Sequence, residues 1–154
     1  MLHSPNSHGF TLIELVAVIV ILGILAAFAV PRLADIRSST RGGALQGMIG
    51  SMRSAATLAH SKSRTQQLGP NDPIQMEGQA IAMVGHYPDA LGMADAAQLI
   101  LSDEFEIQFF ANTAFIVYAT GTPGWVSCGF AYVRAFPPAV PVPRYFGPNI
   151  SNCR

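Results

Sequence analysis

Residues 9–31 read GFTLIELVAVIVILGILAAFAVP. The sixteen residues from Leu15 to Val30 carry neither a charge nor a side-chain hydrogen-bonding group. As an α-helix, the stretch from Phe10 to Pro31 would be roughly 33 Å long, enough to cross a bilayer core of about 30 Å. The sequence therefore predicts a membrane-spanning helix, with the carboxylate of Glu14 at its entrance.

Two other interpretations of this stretch stay open. The first is a buried core helix, although so long an apolar run usually exceeds what a domain of this size buries. The second is a secretory signal peptide cleaved after Ala29, which would release a soluble domain of unknown binding activity. Residues 1–9 contain no Lys or Arg, which disfavours a signal peptide. An ionisable group in a membrane segment is costly, so Glu14 is a candidate functional residue.

The ordered string from Gly9 to Leu15, followed by the apolar run and Pro31, resembles the amino terminus of type IV pilins and of type II secretion pseudopilins. In that family a prepilin peptidase cuts after the glycine and methylates the new amino terminus. The resemblance therefore implies cleavage between Gly9 and Phe10 and N-methylation of Phe10. It also implies that Glu14 pairs with the terminal amine of a neighbouring subunit during assembly. Pro31 is expected to bend the chain at the membrane surface, because its ring clashes with the carbonyl four residues earlier.

The same resemblance implies an α+β type IV pilin fold, in which a long N-terminal helical spine packs on an antiparallel β-sheet head. Residues 1–9 would be the leader, 10–31 the transmembrane and filament-core helix, and 32–154 the globular domain. Such a subunit is structural rather than enzymatic. It waits in the inner membrane as a single-pass protein and then joins a helical homopolymer, the extracellular pilus or fimbrium.

Within the family, three segments resemble the mannose-sensitive haemagglutinin pilins: residues 44–47 (ALQG), 78–84 (GQAIAMV) and 85–90 (GHYPDA). That resemblance implies adhesion through a surface or glycan receptor. The alternative within the family is a pseudopilin, which assembles a short periplasmic piston.

Composition and charge agree with one membrane helix followed by one compact domain, since half of the residues are hydrophobic and only 12% are charged. The formal net charge of zero conceals a division: residues 32–64 hold six basic residues and one acid, and residues 72–106 hold seven acids and no Lys or Arg. Two interpretations stay open. These charges are either solvated surface groups or a basic stem and an acidic head that meet between identical subunits.

Apolar residues recur at three- and four-residue steps between Arg32 and Ser63, which predicts an amphipathic helix, loose around Gly42 and Gly43, with a sheet as its partner. Strands are predicted at residues 74–77, 79–84, 105–110, 113–119 and 125–136. A loop is predicted at 85–89 and a short helix at 93–101. The tail 137–154 holds five of the eleven prolines, which predicts an extended cover over the sheet.

Cys128 and Cys153 are the two cysteines, and an even pair behind an export-type amino terminus predicts a disulfide. The four histidines show no metal-ligand spacing, and no catalytic, cofactor-binding or specific nucleic-acid-binding pattern is found. Residues 103–106 could help to bind calcium, but such an acidic run is more often a solvated strand entry. The triplet 149–151 matches an N-glycosylation acceptor, although so short a pattern often arises by chance.

Overall fold

The computed structural model describes residues 10–99 and 101–153, apart from the side chains of residues 34 and 35. The leader predicted at residues 1–9 lies outside this part of the chain. The chain divides into two compact units, of which the first ends at Ile36 and the second begins at Arg37. A long apolar N-terminal helix precedes antiparallel strands, so the predicted α+β, type IV pilin-like architecture is confirmed.

Helix α1 runs from Leu12 to Thr65, and its N-terminal part makes up the first unit. Every residue from Phe10 to Leu33 is exposed, which is not the pattern of a buried core helix. This is the one helix among the described residues that is long and apolar enough to cross a membrane. Pro31 lies inside helix α1 rather than at its end.

In the second unit, α1 presents one buried stripe to the rest of the domain. Leu45, Ile49, Met52, Ala56 and Ala59 are at most 5% exposed and recur at three- and four-residue steps, as the sequence predicts. The helix continues through residues 42 and 43 without the predicted loosening. Packing explains this continuity in part, because the side chain of Ile150 lies against Gly42.

The head contains two short hairpins and one larger sheet. The first hairpin pairs β1 (Ile74–Met76) with β2 (Gln79–Ile81), and the second pairs β3 (Met83–Val84) with β4 (Tyr87–Pro88). Helix α2 (Ala90–Ala96) follows. The sheet comprises β5 (Phe105–Phe110), β6 (Ala114–Ala119), β7 (Gly129–Val133) and β8 (Arg144–Asn149), antiparallel in that spatial order, and α3 (Trp125–Cys128) precedes β7.

The core lies between the buried stripe of α1 and one face of the four-stranded sheet. Phe115 opposes Tyr132 and Val117 opposes Phe130 across β6 and β7, and all four side chains are fully buried in one cluster with Leu45. Strand β6 alternates between buried and half-buried residues, so one of its faces is directed at the helix. The predicted pairing of the amphipathic helix with a sheet is therefore confirmed.

The single strand expected at 79–84 is divided between β2 and β3, which belong to different hairpins. Besides this and the loosening at residues 42 and 43, four local predictions were wrong. The helix expected at 93–101 spans Ala90–Ala96, because the Asp89 carboxylate accepts a hydrogen bond from the backbone N–H of Gly92 (2.7 Å) and caps it earlier. The loop expected at 85–89 contains β4, and the strand expected at 125–136 begins with the helical turn α3.

The fourth error concerns the tail, which was expected to cover the sheet. Residues 144–149 instead join the sheet as strand β8, at its edge. Pro148 lies in this strand, and an edge is where a sheet tolerates a residue without a backbone N–H.

Candidate assembly and head sites

The N-terminal end of α1 is closed by a reciprocal pair of hydrogen bonds between Thr11 and Glu14. The Thr11 backbone N–H and hydroxyl both donate to Glu14 Oε2, at 3.2 and 2.9 Å, and the Glu14 N–H donates to the Thr11 hydroxyl at 3.3 Å. This is the capping box of a Thr-x-x-Glu sequence, which satisfies two of the orphan N–H groups at a helix start. Glu14 therefore has a local structural role that the sequence reasoning missed, although the Thr-x-x-Glu spacing was readable.

The surface that follows Glu14 is an uninterrupted apolar cylinder. Side chains from Leu15 to Val30 are exposed, with Leu25 at 59% and Phe28 at 74%. Soluble proteins rarely leave so large an apolar patch in water, and such patches mark membrane or protein contacts. This segment can be removed from water in two ways, by insertion into lipid or by packing against other apolar helices.

The predicted disulfide is present in the head. Cys128 and Cys153 are bonded and fully buried, with their Cα atoms 4.8 Å apart. The bond fixes the end of the described chain to α3, where the Asn152 N–H also donates to the Ser127 carbonyl at 3.1 Å. The tail is thus held by the pairing of β8 with β7 and, after β8, by a covalent link.

Structure brings together one polar cluster that the sequence spacing did not reveal. Ser63 Oγ lies 2.9 Å from His86 Nδ1, and Arg64 Nη1 lies 3.3 Å from His86 Nε2. The ring of His60 packs edge-on to His86 and stacks on Tyr87. Residues 60–64 come from α1, whereas residues 86 and 87 come from the β3–β4 hairpin.

A serine beside a histidine raises the question of nucleophilic catalysis. A guanidinium can only donate hydrogen bonds, so His86 Nε2 must accept from Arg64. The neutral ring then carries its proton on Nδ1 and donates it to Ser63, the reverse of what a general base would do. Ser63 is also fully buried. The Ser63–His86 pair is therefore a structural contact and is not arranged for abstraction of the serine proton.

The acidic run at 103–106 does not converge on a common point. Glu104 lies 3.9 Å from the Arg41 guanidinium, and Glu106 accepts a hydrogen bond from the Tyr118 hydroxyl at 2.8 Å. That bond raises the pKa of Tyr118 above its usual value, because it stabilises the neutral phenol. Within the described residues, no group of three or more His, Cys, Asp or Glu side chains could hold a metal ion.

Asn149 of the glycosylation-like triplet is used within the fold. Its side-chain amide donates to the Val126 carbonyl, and its amide oxygen accepts from the backbone and hydroxyl of Ser151. Attachment of a glycan at this nitrogen would disturb the hydrogen bond between β8 and α3.

Comparison with known proteins gives two matches. The prokaryotic N-terminal methylation motif matches residues 4–30, which cover the Gly9–Phe10 junction, Glu14 and the apolar run. The type IV narrow pilus major component PilA5 of Thermus thermophilus is 47% identical over 54 residues, which is 35% of this chain and 47% of the relative. The chain thus spans about half of that relative's length in the match. No solved structure matches significantly.

The chain thus carries a prokaryotic N-terminal methylation motif and is similar, over about a third of its length, to a type IV pilus component. The motif and the exposed apolar helix fit a precursor that is anchored in the membrane and later resides in an extracellular pilus.

Proposed function

We propose that this chain is a non-enzymatic structural subunit of a type IV pilus of the mannose-sensitive haemagglutinin kind. A prepilin peptidase cuts it between Gly9 and Phe10 and methylates Phe10. The processed chain waits in the inner membrane, then polymerises with copies of itself through its N-terminal helix. Its exposed head attaches the cell to surfaces, through a surface or glycan receptor. No specific nucleic acid is bound.

The observation that carries this proposal is the exposed apolar cylinder with one carboxylate at its entrance. Water cannot be the permanent environment of the segment from Leu15 to Val30. Lipid covers it before assembly, and the same segments of neighbouring subunits cover it afterwards. One surface thereby serves first as anchor and then as fibre core.

Glu14 supplies the register of assembly in this proposal. Cleavage after Gly9 creates a charged amine on Phe10, and an unpaired ammonium or carboxylate in an apolar medium is expensive. Both bonds from Thr11 end on the Oε2 atom of Glu14, so the capping box engages one carboxylate oxygen. The other oxygen is the proposed acceptor for the amine of a neighbouring subunit.

The capping box makes it possible to separate charge from helix capping. Glu14→Gln retains a side chain that can cap the helix but removes the charge, whereas Thr11→Ala removes the threonine hydroxyl and leaves the charge. We expect Glu14→Gln to lower the amount of sheared surface filament at least tenfold, since an uncompensated buried amine costs more than about 1.4 kcal/mol. Thr11→Ala should assemble nearly as wild type.

Both variants must accumulate in the membrane fraction at wild-type levels, which an immunoblot establishes. Normal filament from Glu14→Gln would refute the charge-pairing role. Loss of filament in Thr11→Ala alone would assign Glu14 to capping only.

The adhesion part of the proposal rests on the resemblance of residues 44–47, 78–84 and 85–90 to mannose-sensitive haemagglutinin pilins. Two of these segments lie in the described head, on β2, β3 and the β3–β4 turn. Haemagglutination by cells that express the chain, and its inhibition by free mannose, tests this part. Filaments that form without agglutination would support the pilus part of the proposal and contradict the receptor part.

A further inference from the structure

The four-stranded sheet has an outer face, which is the face turned away from α1. Phe115 and Val117 of β6 are fully buried in the cluster that contains Leu45 of α1, so the residues between them on the strand point outward. Cross-strand register then gives the outward residues of the four strands: Glu106, Gln108, Phe110, Ala114, Ile116, Tyr118, Ala131, Val133, Arg144 and Phe146. The assembly and head sites described above do not account for this surface.

The middle of the outer face is apolar. Phe110 is 49% exposed and Phe146 is 43% exposed, and Ile116 and Val133 are half-buried. Pairing across the strands places Phe110 in one row with Val133 and places Ile116 in the adjacent row with Phe146. The four side chains therefore form one patch rather than scattered exposed residues, and such a patch is typical of a protein contact.

Opposite charges lie at opposite corners of the outer face. Glu106 is exposed near the start of β5, and Arg144 is exposed at the start of β8. Strands β5 and β8 are the two edges of the sheet, and Arg144 shares a row with Phe110 rather than with Glu106. Three strand spacings and four residues of rise then separate the two charges by roughly 20 Å. Because the Debye length is about 8 Å at physiological salt, the charges do not neutralise each other within one subunit.

Neither charge is neutralised by another group of the head. The Tyr118 hydroxyl donates to Oε2 of Glu106, but a neutral phenol leaves the charge of the carboxylate in place. The one ion pair in the described part of the chain joins Arg41 to Glu104 and involves neither corner. Glu106 and Arg144 can therefore each meet an opposite charge on a second molecule.

The dimensions of the outer face allow one copy to complement another. Three strand spacings of about 4.8 Å and four residues of about 3.4 Å each give a face of roughly 14 Å by 14 Å. In a face that is nearly square, a two-fold axis along the diagonal through Phe110 exchanges the Glu106 corner with the Arg144 corner. A second copy placed face to face about this axis sets its arginine against Glu106 and its glutamate against Arg144. The two apolar patches then meet between these ion pairs.

We propose that the outer face of the sheet binds the outer face of a second copy of this chain, through two Glu106–Arg144 pairs around an apolar centre. Charge complementarity identifies this occupant, because a surface of uniform charge would be attracted at one corner and repelled at the other. A contact of this size is weak alone and becomes effective where many copies face one another.

The place of this contact in a fibre rests on the proposed function. Because the outer face is turned away from α1, packing of the helices into a fibre core leaves it free. The contact would then join subunits of neighbouring fibres, where the repeated heads supply the many copies that a weak contact needs.

Clustering of vesicles that carry the full oxidised chain tests the proposal. The chain is inserted through its apolar helix into phosphatidylcholine vesicles, which have no net charge, in about 0.15 M salt. Two vesicle populations with different fluorescent lipids are mixed, and particles that show both colours are counted. We expect wild-type vesicles to cluster with one another and not with protein-free vesicles.

Reversal of the two charges separates the corners. Vesicles that carry Glu106→Arg, or vesicles that carry Arg144→Glu, should form at least about tenfold fewer clusters, because like charges then meet at both corners. A mixture of these two populations should cluster as wild type does, since every facing pair is then opposite in charge. The double variant with both substitutions should also cluster as wild type does.

Glu77→Arg is the matched control. It makes the same change in net charge as Glu106→Arg, at an exposed residue of the β1–β2 turn and outside the sheet face. Vesicles with this variant should cluster as wild type does. Near-ultraviolet circular dichroism of each variant verifies that the head is folded.

Wild-type vesicles that stay separate would overturn the contact. Equal clustering with protein-free vesicles would assign the surface to lipid, and an equal loss of clustering in Glu77→Arg would reduce the effect to net charge. Folded variants that fail to cluster when mixed would contradict the pairing of Glu106 with Arg144. The experiment involves neither cleavage nor fibre formation, so such a failure would leave the proposed pilus function standing.

Discussion

The hydroxyl of Tyr132 gives the sharpest test of how the head is held together. Tyr132 is fully buried on β7 and donates to the carbonyl of Pro88, which is also buried, at 2.7 Å. Burial raises the pKa of Tyr132 far above its usual value, so the hydroxyl remains a donor throughout the accessible pH range. This bond joins β7 of the four-stranded sheet to β4.

We predict that Tyr132→Phe lowers the stability of the head by about 1–3 kcal/mol. The ring remains in place against Phe115 and Tyr145, at centroid distances of 5.3 and 5.4 Å, so packing is retained. The loss is that of the hydrogen bond plus the cost of leaving the Pro88 carbonyl buried without its partner. For a domain of this size, each kcal/mol corresponds to about 4 °C in Tm.

The assay is thermal unfolding of the full oxidised chain in detergent micelles, followed by near-ultraviolet circular dichroism. Tyr118→Phe is the matched control, because it removes a phenol hydroxyl that bonds to an exposed carboxylate on the outer part of the sheet. That variant should stay within about 0.5 kcal/mol of wild type. Equal midpoints for the wild type and Tyr132→Phe would refute the argument that this buried bond stabilises the head.

Three further predictions follow from the core, the disulfide and the buried phenols. Leu45→Ala should cost about 2–5 kcal/mol by urea unfolding, because the side chain is fully buried between helix and sheet, whereas Leu58→Ala, at an exposed position, should cost less than about 1 kcal/mol. Reduction of the Cys128–Cys153 bond should lower stability by about 3–4 kcal/mol on the chain-entropy model, and alkylation without reductant should label neither thiol. Burial raises the pKa of Tyr145 to about 12, so its contribution to stability should be complete below pH 10 and lost as pH rises from about 10 to about 12, coincident with tyrosinate absorbance.

The sequence sufficed where a regular pattern recurs along the chain. The apolar run after Glu14 predicts a membrane-length helix, and the β-rich composition of residues 113–119 predicts the strand β6, because both depend on local sequence alone. The stripe from Leu45 to Ala59 likewise predicts a helix packed on a sheet. These features needed no knowledge of which segments meet.

Prediction failed where long-range contacts or unread local signals decide the structure. His60, Ser63 and Arg64 meet His86 across more than twenty residues, so no spacing rule brings them together. Residues 144–149 of the tail form β8 because they pair with the edge of β7. Composition cannot reveal such a pairing. By contrast, the Asp89 cap and the Thr11–Glu14 capping box were legible in the sequence and were overlooked.

The most direct test of the central claim is the intact mass and N-terminal fragment ions of the chain recovered from a sheared surface fraction. The proposal predicts a chain that begins at N-methylated Phe10 and retains the Cys128–Cys153 disulfide. The same processed chain confined to the cell envelope would contradict a surface pilus and favour the secretion pseudopilin. A chain that begins at Val30 would contradict the pilin proposal altogether, because the helix that should form the fibre core would have been removed.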